Sequence, residues 1–281
     1  MREADAKLGA IIGDGPTGYH VAELLSRRQR DVAILGLPQT REWLGQRVPQ
    51  SDFVPQNKVI DCVRALKASG AASAIFVGRF SLTTDRETVK RLFQKGAMWE
   101  PAIPLRVFRE LLQQEGITLR NVLEILPELS IHANASSGDV DTEAAQRDLD
   151  AAASHASTQR LRESAQVFIV DEGKVLEHGD AHSTNATIMR FGESAARDTA
   201  KRPVLCKVAS PHLLGLYPPV VGRTTADLCI ANGIKGIIVE AGTTLVMDQG
   251  ELMGLRSGSF FFCVRKKFVV DRQTEPCSLS A

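Results

Sequence analysis

The chain has 281 residues, 43% hydrophobic and 24% charged, the composition of a soluble globular protein able to bury one large core or two ordinary ones. Lys and Arg number 34 against 33 Asp and Glu, a formal charge of +1, and aromatic residues make up 5%, so no surface for nucleic acid is expected. The cysteines, Cys62, Cys206, Cys229, Cys263 and Cys277, are widely spaced with no C-x-x-C, which argues against a disulfide framework or structural zinc and fits a reducing cytoplasm. Residues 1–7 are charged rather than signal-like, and no apolar run reaches the ~18 residues of a membrane span. Integral membrane and secreted classes are excluded on this reading; peripheral contact with a membrane surface is not.

An apolar run at Leu8–Ile12 leads into Gly13-Asp14-Gly15-Pro16-Thr17-Gly18, an amphipathic stretch at 19–28 and a second apolar run at 32–37. Strand, glycine-rich turn, helix and strand open a βαβ unit. Val59, Val63 and Leu66 recur at helical spacing and predict a helix over Val59–Ala68, closed by Gly70. A strand follows at 74–77, ending at Gly78-Arg79-Phe80-Ser81, and a helix at 105–114 stops at Gly116. This alternation predicts an α/β fold, with a parallel sheet and helices on both faces in a Rossmann-like N-terminal domain over 1–130.

Residues 131–142 are small and polar and read as an interdomain linker, continuing into a helix over 142–164; linker and helix together span 131–160. A second α/β domain is expected over 161–281. It opens with a hairpin, strands 167–170 and 174–176 around Asp171-Glu172-Gly173. A helix at 185–200, a strand at 204–208 and a helix at 224–232 ending at Gly233 follow. Two strands, 236–240 and 244–248, flank Ala241-Gly242, and a last strand lies at 260–264. The tail after Arg272 reads as frayed.

Gly13, Gly15 and Gly18 approximate G-x-G-x-x-G, whose backbone N–H groups at a helix N-terminus favour a phosphate. The same glycines would equally serve a tight turn with no nucleotide, and Asp14 adds a negative charge beside it. Arg79, at the end of a strand, could pair with a phosphate or simply be solvated. His178-x-Asp180-x-His182 would point to one face of a strand, offering two imidazoles and a carboxylate to zinc or iron, or would be a polar edge. Cys206, on an apolar strand, reads as a core residue. Glu240 and Asp248, at the ends of neighbouring strands, are candidate ligands for a hard cation such as magnesium, or turn residues. Lys207, also at a strand end, is a candidate phosphate contact.

Several blocks recur in the order and spacing of one family. They are Leu8-Gly9-Ala10-Ile11-Ile12-Gly13-Asp14-Gly15, Phe76-Val77-Gly78-Arg79-Phe80-Ser81, Val175-Leu176 leading to Ser183-Thr184-Asn185, and Val204-Leu205-Cys206-Lys207. Pro219-Val220-Val221-Gly222 and Ile237-Ile238-Val239-Glu240-Ala241-Gly242 complete the set. Over nearly its whole length the chain resembles the LpxI-type UDP-2,3-diacylglucosamine pyrophosphatases of lipid A biosynthesis. The resemblance implies a Rossmann-like N-terminal domain and a distinct C-terminal α/β domain with the ligand between them. It implies hydrolysis to UMP and 2,3-diacylglucosamine 1-phosphate, assisted by Mg2+ or Mn2+. It also implies substrate contacts at Gly13, Gly15, Gly78, Arg79, Ser81, Thr184, Lys207 and Gly242, a metal at Glu240 and Asp248, and catalytic positions at Asn185, Tyr217 and Asp248.

At two of those positions the family has acids where this chain has Asn185 and Tyr217. The family's E-A-x-E-G-T-D here reads Gly179-Asp180-Ala181-His182-Ser183-Thr184-Asn185, its K-x-D-D reads Trp99-Glu100-Pro101-Ala102, and the Asn of its G-N-V-S is Arg79. The alternative is therefore a non-catalytic homologue that binds a lipid or nucleotide sugar, or partners an active enzyme. A lipid-linked nucleotide sugar as ligand, no nucleic acid, contact with the inner face of the inner membrane, and a homodimer are the remaining expectations.

Overall fold

The computed structural model describes residues 7–28, 31–93, 103–158, 165–180, 184–209, 218–255 and 260–266. In the first lobe, strands β1 (Leu8–Ile12), β2 (Val32–Gly36), β3 (Asp52–Phe53), β4 (Ser73–Val77) and β5 (Thr118–Leu119) make a parallel sheet in the order β3-β2-β1-β4-β5. Its helices are α1 (Pro16–Arg28), α2 (Arg41–Arg47), α3 (Val59–Ala68), α4 (Arg86–Phe93), α5 (Ile103–Gln114) and α6 (Val122–Ile125).

β1 is buried along its whole length. Leu8, Ala10 and Ile12 join Val21, Leu25 and Leu123 in one apolar cluster, while Ile11 joins Leu66, Phe108 and Leu111 in another. A strand covered on both faces gains nothing from polar alternation, which is why it reads as a continuous apolar run. Helix α3 keeps its expected limits: Val59, Cys62, Val63 and Leu66 face the sheet, and Gly70 at φ +75° closes the turn after Ser69.

The second lobe contains β6 (Ser136–Ser137), α7 (Thr142–Thr158), β7 (Ala165–Asp171), β8 (Lys174–Asp180), α8 (Thr184–Glu193), α9 (Ala195–Thr199) and β9 (Val204–Lys207). It continues through β10 (Val220–Val221), α10 (Arg223–Ala231), β11 (Gly236–Glu240), β12 (Leu245–Val246), α11 (Gln249–Met253) and β13 (Phe261–Arg265). Its main sheet runs β6-β13-β11-β9-β7-β8. β9, β11 and β13 are parallel, whereas β7 runs antiparallel to β9 and β8, and β6 runs antiparallel to β13. Helix α7 covers one face with Ala145, Leu149, Ala152 and Ala156 against Phe168, Cys206 and Ile238. Ile188, Phe191, Cys229 and Leu252 cover the other against Ile169, Leu205, Ile237 and Phe262. Cys62, Cys206, Cys229 and Cys263 are all free and buried in these cores. Burial pushes the Cys62 and Cys263 thiols up to about 12, and raises those of Cys206 and Cys229 as well.

The expected β7–β8 hairpin forms, with Asp171 opposite Lys174 and both Glu172 and Gly173 at positive φ. Three expectations are corrected. First, residues 131–142 are not a bare linker. Asn134 N donates to Val264 O, Val264 N donates to Ala135 O, and β6 forms the edge of the second sheet. Small polar residues suit an edge strand as well as a tether.

Second, the helix expected over 185–200 is two helices, because Ser194 adopts an extended conformation and starts α9. Third, the strand expected at 244–248 does not pair with β11. β12 leaves the sheet and pairs in parallel with β10, with Leu245 N donating to Pro219 O and Met247 N to Val221 O, each at 2.8 Å. The reason is long-range packing. Leu245 is fully buried in the first lobe's core, in the cluster of Ile12, Val77 and Leu123. This ribbon joins the lobes, and Gln249 Nε2 adds a bond to Glu128 O at 2.6 Å.

Candidate functional site

The strand order of the first sheet reverses direction at β1 and β4, so loops diverge there and leave a crevice at the carboxyl ends of these strands. A cleft of about 610 Å3 occupies that place, between the lobes. Asp14, Gly15, Thr17, Gly78 and Arg79 form one wall, and Thr184, Asn185, Thr224, Thr225 and Asp248 stand on the other.

On the first wall the loop after β1 lies against the loop after β4. Gly13 N donates to Val77 O at 2.8 Å, Asp14 N to Arg79 O at 3.0 Å, and Arg79 N to Asp14 O at 2.8 Å. A Cβ on Gly78, whose φ is +104°, would lie 2.5 Å from Gly13 O. A Cβ on Gly18 would also run into Gly13 O, and one on Gly13 into Arg79 O. Backbone crossing thus accounts for these three glycines. Gly15 and Gly78 reach the cleft, whereas Gly13 supports it from behind.

Asp14 is held by two donors, the Tyr19 hydroxyl to Oδ1 at 2.6 Å and Arg79 Nη2 to Oδ2 at 3.1 Å. The Tyr19 hydrogen bond, followed by the Arg79 charge, holds the Asp14 carboxyl below its ordinary range against the opposing effect of burial. Burial, followed by the bond to Asp14, raises the Tyr19 phenol. Tyr19 is itself fixed by stacking on Trp43, centroids 4.2 Å apart. Arg79, expected as a phosphate contact, is on the cleft wall but already paired with Asp14. Ser81 is exposed and not among the cleft residues.

On the second wall Thr184 and Asn185 open α8, and Thr224 and Thr225 open α10. Lys207 is 2% exposed, too deep for surface contact, and its Nζ donates to Thr184 Oγ1 at 2.6 Å. Asp248 takes the left-handed conformation, φ 53°, and its Oδ2 accepts from Arg223 N, at the start of α10, at 3.3 Å.

Glu240 and Asp248, expected together at a metal, do not share a cavity. Glu240 and Gly242 line a second hollow of about 490 Å3 with His132 and Lys266, and Glu240 Oε2 accepts from Ala209 N at 2.9 Å. The departure of β12 from the sheet separates the two carboxylates. His178 is exposed, its ring 5.1 Å from that of His155, and its carbonyl accepts from Arg190. Asp180 pairs with Ala165 at the end of β8. Tyr217, His182 and the stretch 99–102 lie outside the described residues. Among the described residues no three His, Cys, Asp or Glu side chains gather to hold a metal ion.

Sequence reasoning missed Thr17, Thr224, Thr225 and Met247 in the cleft. The signal for Thr224 and Thr225 was present, since a glycine followed by hydroxyl residues at a helix start places polar groups at its first turn.

A Rossmann-like lobe docked on a second α/β lobe, with an open cleft at the topological switch point, defines a two-domain α/β protein with an interlobe site. Residues 133–258 match the family model for the LpxI C-terminal domain. Over 257 residues the chain is 26% identical to the UDP-2,3-diacylglucosamine pyrophosphatase LpxI of Caulobacter vibrioides, covering 86% of this chain and 91% of that protein. The second lobe thus matches the LpxI C-terminal domain, and the chain is similar to an LpxI over most of its length. N5-carboxyaminoimidazole ribonucleotide synthetase from Thermotoga maritima is 15% identical, with a TM-score of 0.22, covering 62% of this chain and 41% of that structure. At that score the likeness carries no argument.

Proposed function

We propose that this protein hydrolyses the pyrophosphate bond of UDP-2,3-diacylglucosamine or a closely related lipid-linked nucleotide sugar, releasing UMP and 2,3-diacylglucosamine 1-phosphate for lipid A. The observation that carries this reading is the interlobe cleft, walled by the glycine-rich loop after β1 and the first turns of α8 and α10, in a chain similar to LpxI over most of its length. In the reaction a water oxygen bonds to one phosphorus as its bond to the bridging oxygen breaks. The bridging oxygen leaves with the other phosphate, and one proton passes to solvent.

Charge develops on phosphoryl oxygens, so the site must present donors there. The hydroxyls of Thr184, Thr224 and Thr225, the Asn185 amide and the N-terminal ends of α8 and α10 supply them. Mg2+ is commonly held by one or two carboxylates together with substrate phosphates. Asp14 and Asp248, the carboxylates on the two walls, are the candidate ligands for an Mg2+ or Mn2+ ion that arrives with the diphosphate. Such an ion would neutralise phosphoryl charge and orient water.

The test is UMP release by purified protein from the native substrate across Mg2+ and Mn2+ titrations. Release supports the reading, and none at any metal concentration overturns it. Asn185 lines the cleft where the family resemblance places an acid, which favours a second reading, binding without hydrolysis. That reading expects bound ligand in native mass spectra without turnover, and UMP release appearing only in the Asn185→Asp/Tyr217→Asp double variant. Among the described residues no helix is long and apolar enough to cross a membrane. We place the protein in the cytoplasm, at the inner face of the inner membrane, and as a homodimer; vesicle flotation and sedimentation check these proposals.

A further inference from the structure

We infer that Thr184 donates its hydroxyl proton to an anionic phosphoryl oxygen in the cleft, and that the buried Lys207 is a positioning residue that imposes this polarity. The inference rests on the cleft's being a diphosphate site, as proposed above. A lysine ammonium has three N–H donors and no lone pair. In its 2.6 Å contact with Thr184 Oγ1 the hydroxyl is therefore the acceptor. The hydroxyl's own proton must point away from Lys207. Thr184 stands at the first position of α8 and on the cleft wall. That proton can therefore be presented to a ligand.

The polarity is chemically specific. A bond to an ammonium is short and strong, and it polarises the O–H it is made to. The resulting donor suits an oxygen that only accepts, as a phosphate diester supplies. Lys207 closes β9 beneath α8 at 2% exposure, so it reaches the cleft through Thr184 rather than by contact.

The experiment is calorimetric titration of inorganic pyrophosphate into the full chain and its variants. The wild type should bind. Thr184→Ser keeps the hydroxyl and should bind within about threefold of wild type, whereas Thr184→Val should bind about tenfold more weakly, the scale of one hydrogen bond to a charged group. Lys207→Met should weaken binding to a similar degree. The Thr184→Val/Lys207→Met double variant should be no weaker than Thr184→Val by more than about twofold, because both changes remove one interaction.

Additive losses would show Lys207 acting on the ligand directly and overturn its positioning role. Equal binding by Thr184→Val and wild type would overturn the donor role while leaving the diphosphate reading intact. No binding by the wild type would overturn both. If Lys207→Met does not fold, the Lys207 Nζ nitrogen resonance decides in its place. It should shift as pyrophosphate is added to wild type and stay still in Thr184→Val, and a resonance that ignores pyrophosphate in the wild type refutes the coupling.

Discussion

Replacing Gly78 by alanine would test whether the crossing of the loops after β1 and β4 holds the first wall of the cleft together. Two costs add. The native φ of +104° is unfavourable for an L-residue by about 1–2 kcal/mol. The new Cβ would also lie 2.5 Å from Gly13 O and 2.7 Å from Gly13 C, both backbone atoms. Gly13 cannot easily yield, because its N–H is bonded to Val77 O. Forced overpacking of this kind costs about 1–3 kcal/mol. The variant should therefore lose about 2–5 kcal/mol, a fall of about 4–20 °C in melting temperature at about 2–4 °C per kcal/mol.

Gly45→Ala is the paired control. It lies inside α2 with nothing within 4 Å of the added carbon. It should be neutral or stabilising by up to about 1 kcal/mol. Urea unfolding followed by circular dichroism, with calorimetry alongside, measures both. A Gly78→Ala protein within about 0.5 kcal/mol of wild type would refute the reasoning, for it would mean that the two loops are not in backbone contact.

Leu245→Ala should cost about 2–5 kcal/mol. Because Leu245 is buried in the first lobe's core, hydrogen exchange should show β1 and β4 losing protection; losses confined to the second lobe would contradict the docking of the β10–β12 ribbon. Tyr19→Phe removes the main influence lowering the Asp14 carboxyl, so its titration, followed by carbon NMR, should move up. A carboxyl lowered by folding contributes stability above its unfolded value and loses it as pH falls through the folded one. The variant should lose less stability on acidification, and an unmoved titration would count against the network. Cys62, Cys206, Cys229 and Cys263 should resist alkylation in folded protein at mildly alkaline pH and react fully in urea, since burial raises each thiol. Peptide mass spectrometry showing any of the four labelled as fast as a free thiol in the folded state would contradict their burial.

Much of this was readable along the chain. The spacing of Val59, Val63 and Leu66 matches the face α3 buries, and Asp171-Glu172-Gly173 marks the hairpin of the second sheet. In both cases the information is local: periodicity says which side is apolar, and turn chemistry says where the chain reverses. The glycines after β1 were ambiguous, because a phosphate and a crossing backbone make the same demand for a missing side chain. The segment around Leu245 was misread for a related reason, as its apolar residues suit any partner, and the partner proved to be β10 and the core of the other lobe.

Residue order thus determined the two lobes, most of their helices and strands, and the polar groups available at helix starts. Folding alone decided that Asp14 would neutralise Arg79, that Glu240 and Asp248 would part company, and that Lys207 would lie behind Thr184. Local spacing specifies what a surface is made of. Which surface it meets depends on contacts between residues tens to hundreds of positions apart, and no short stretch of sequence encodes these.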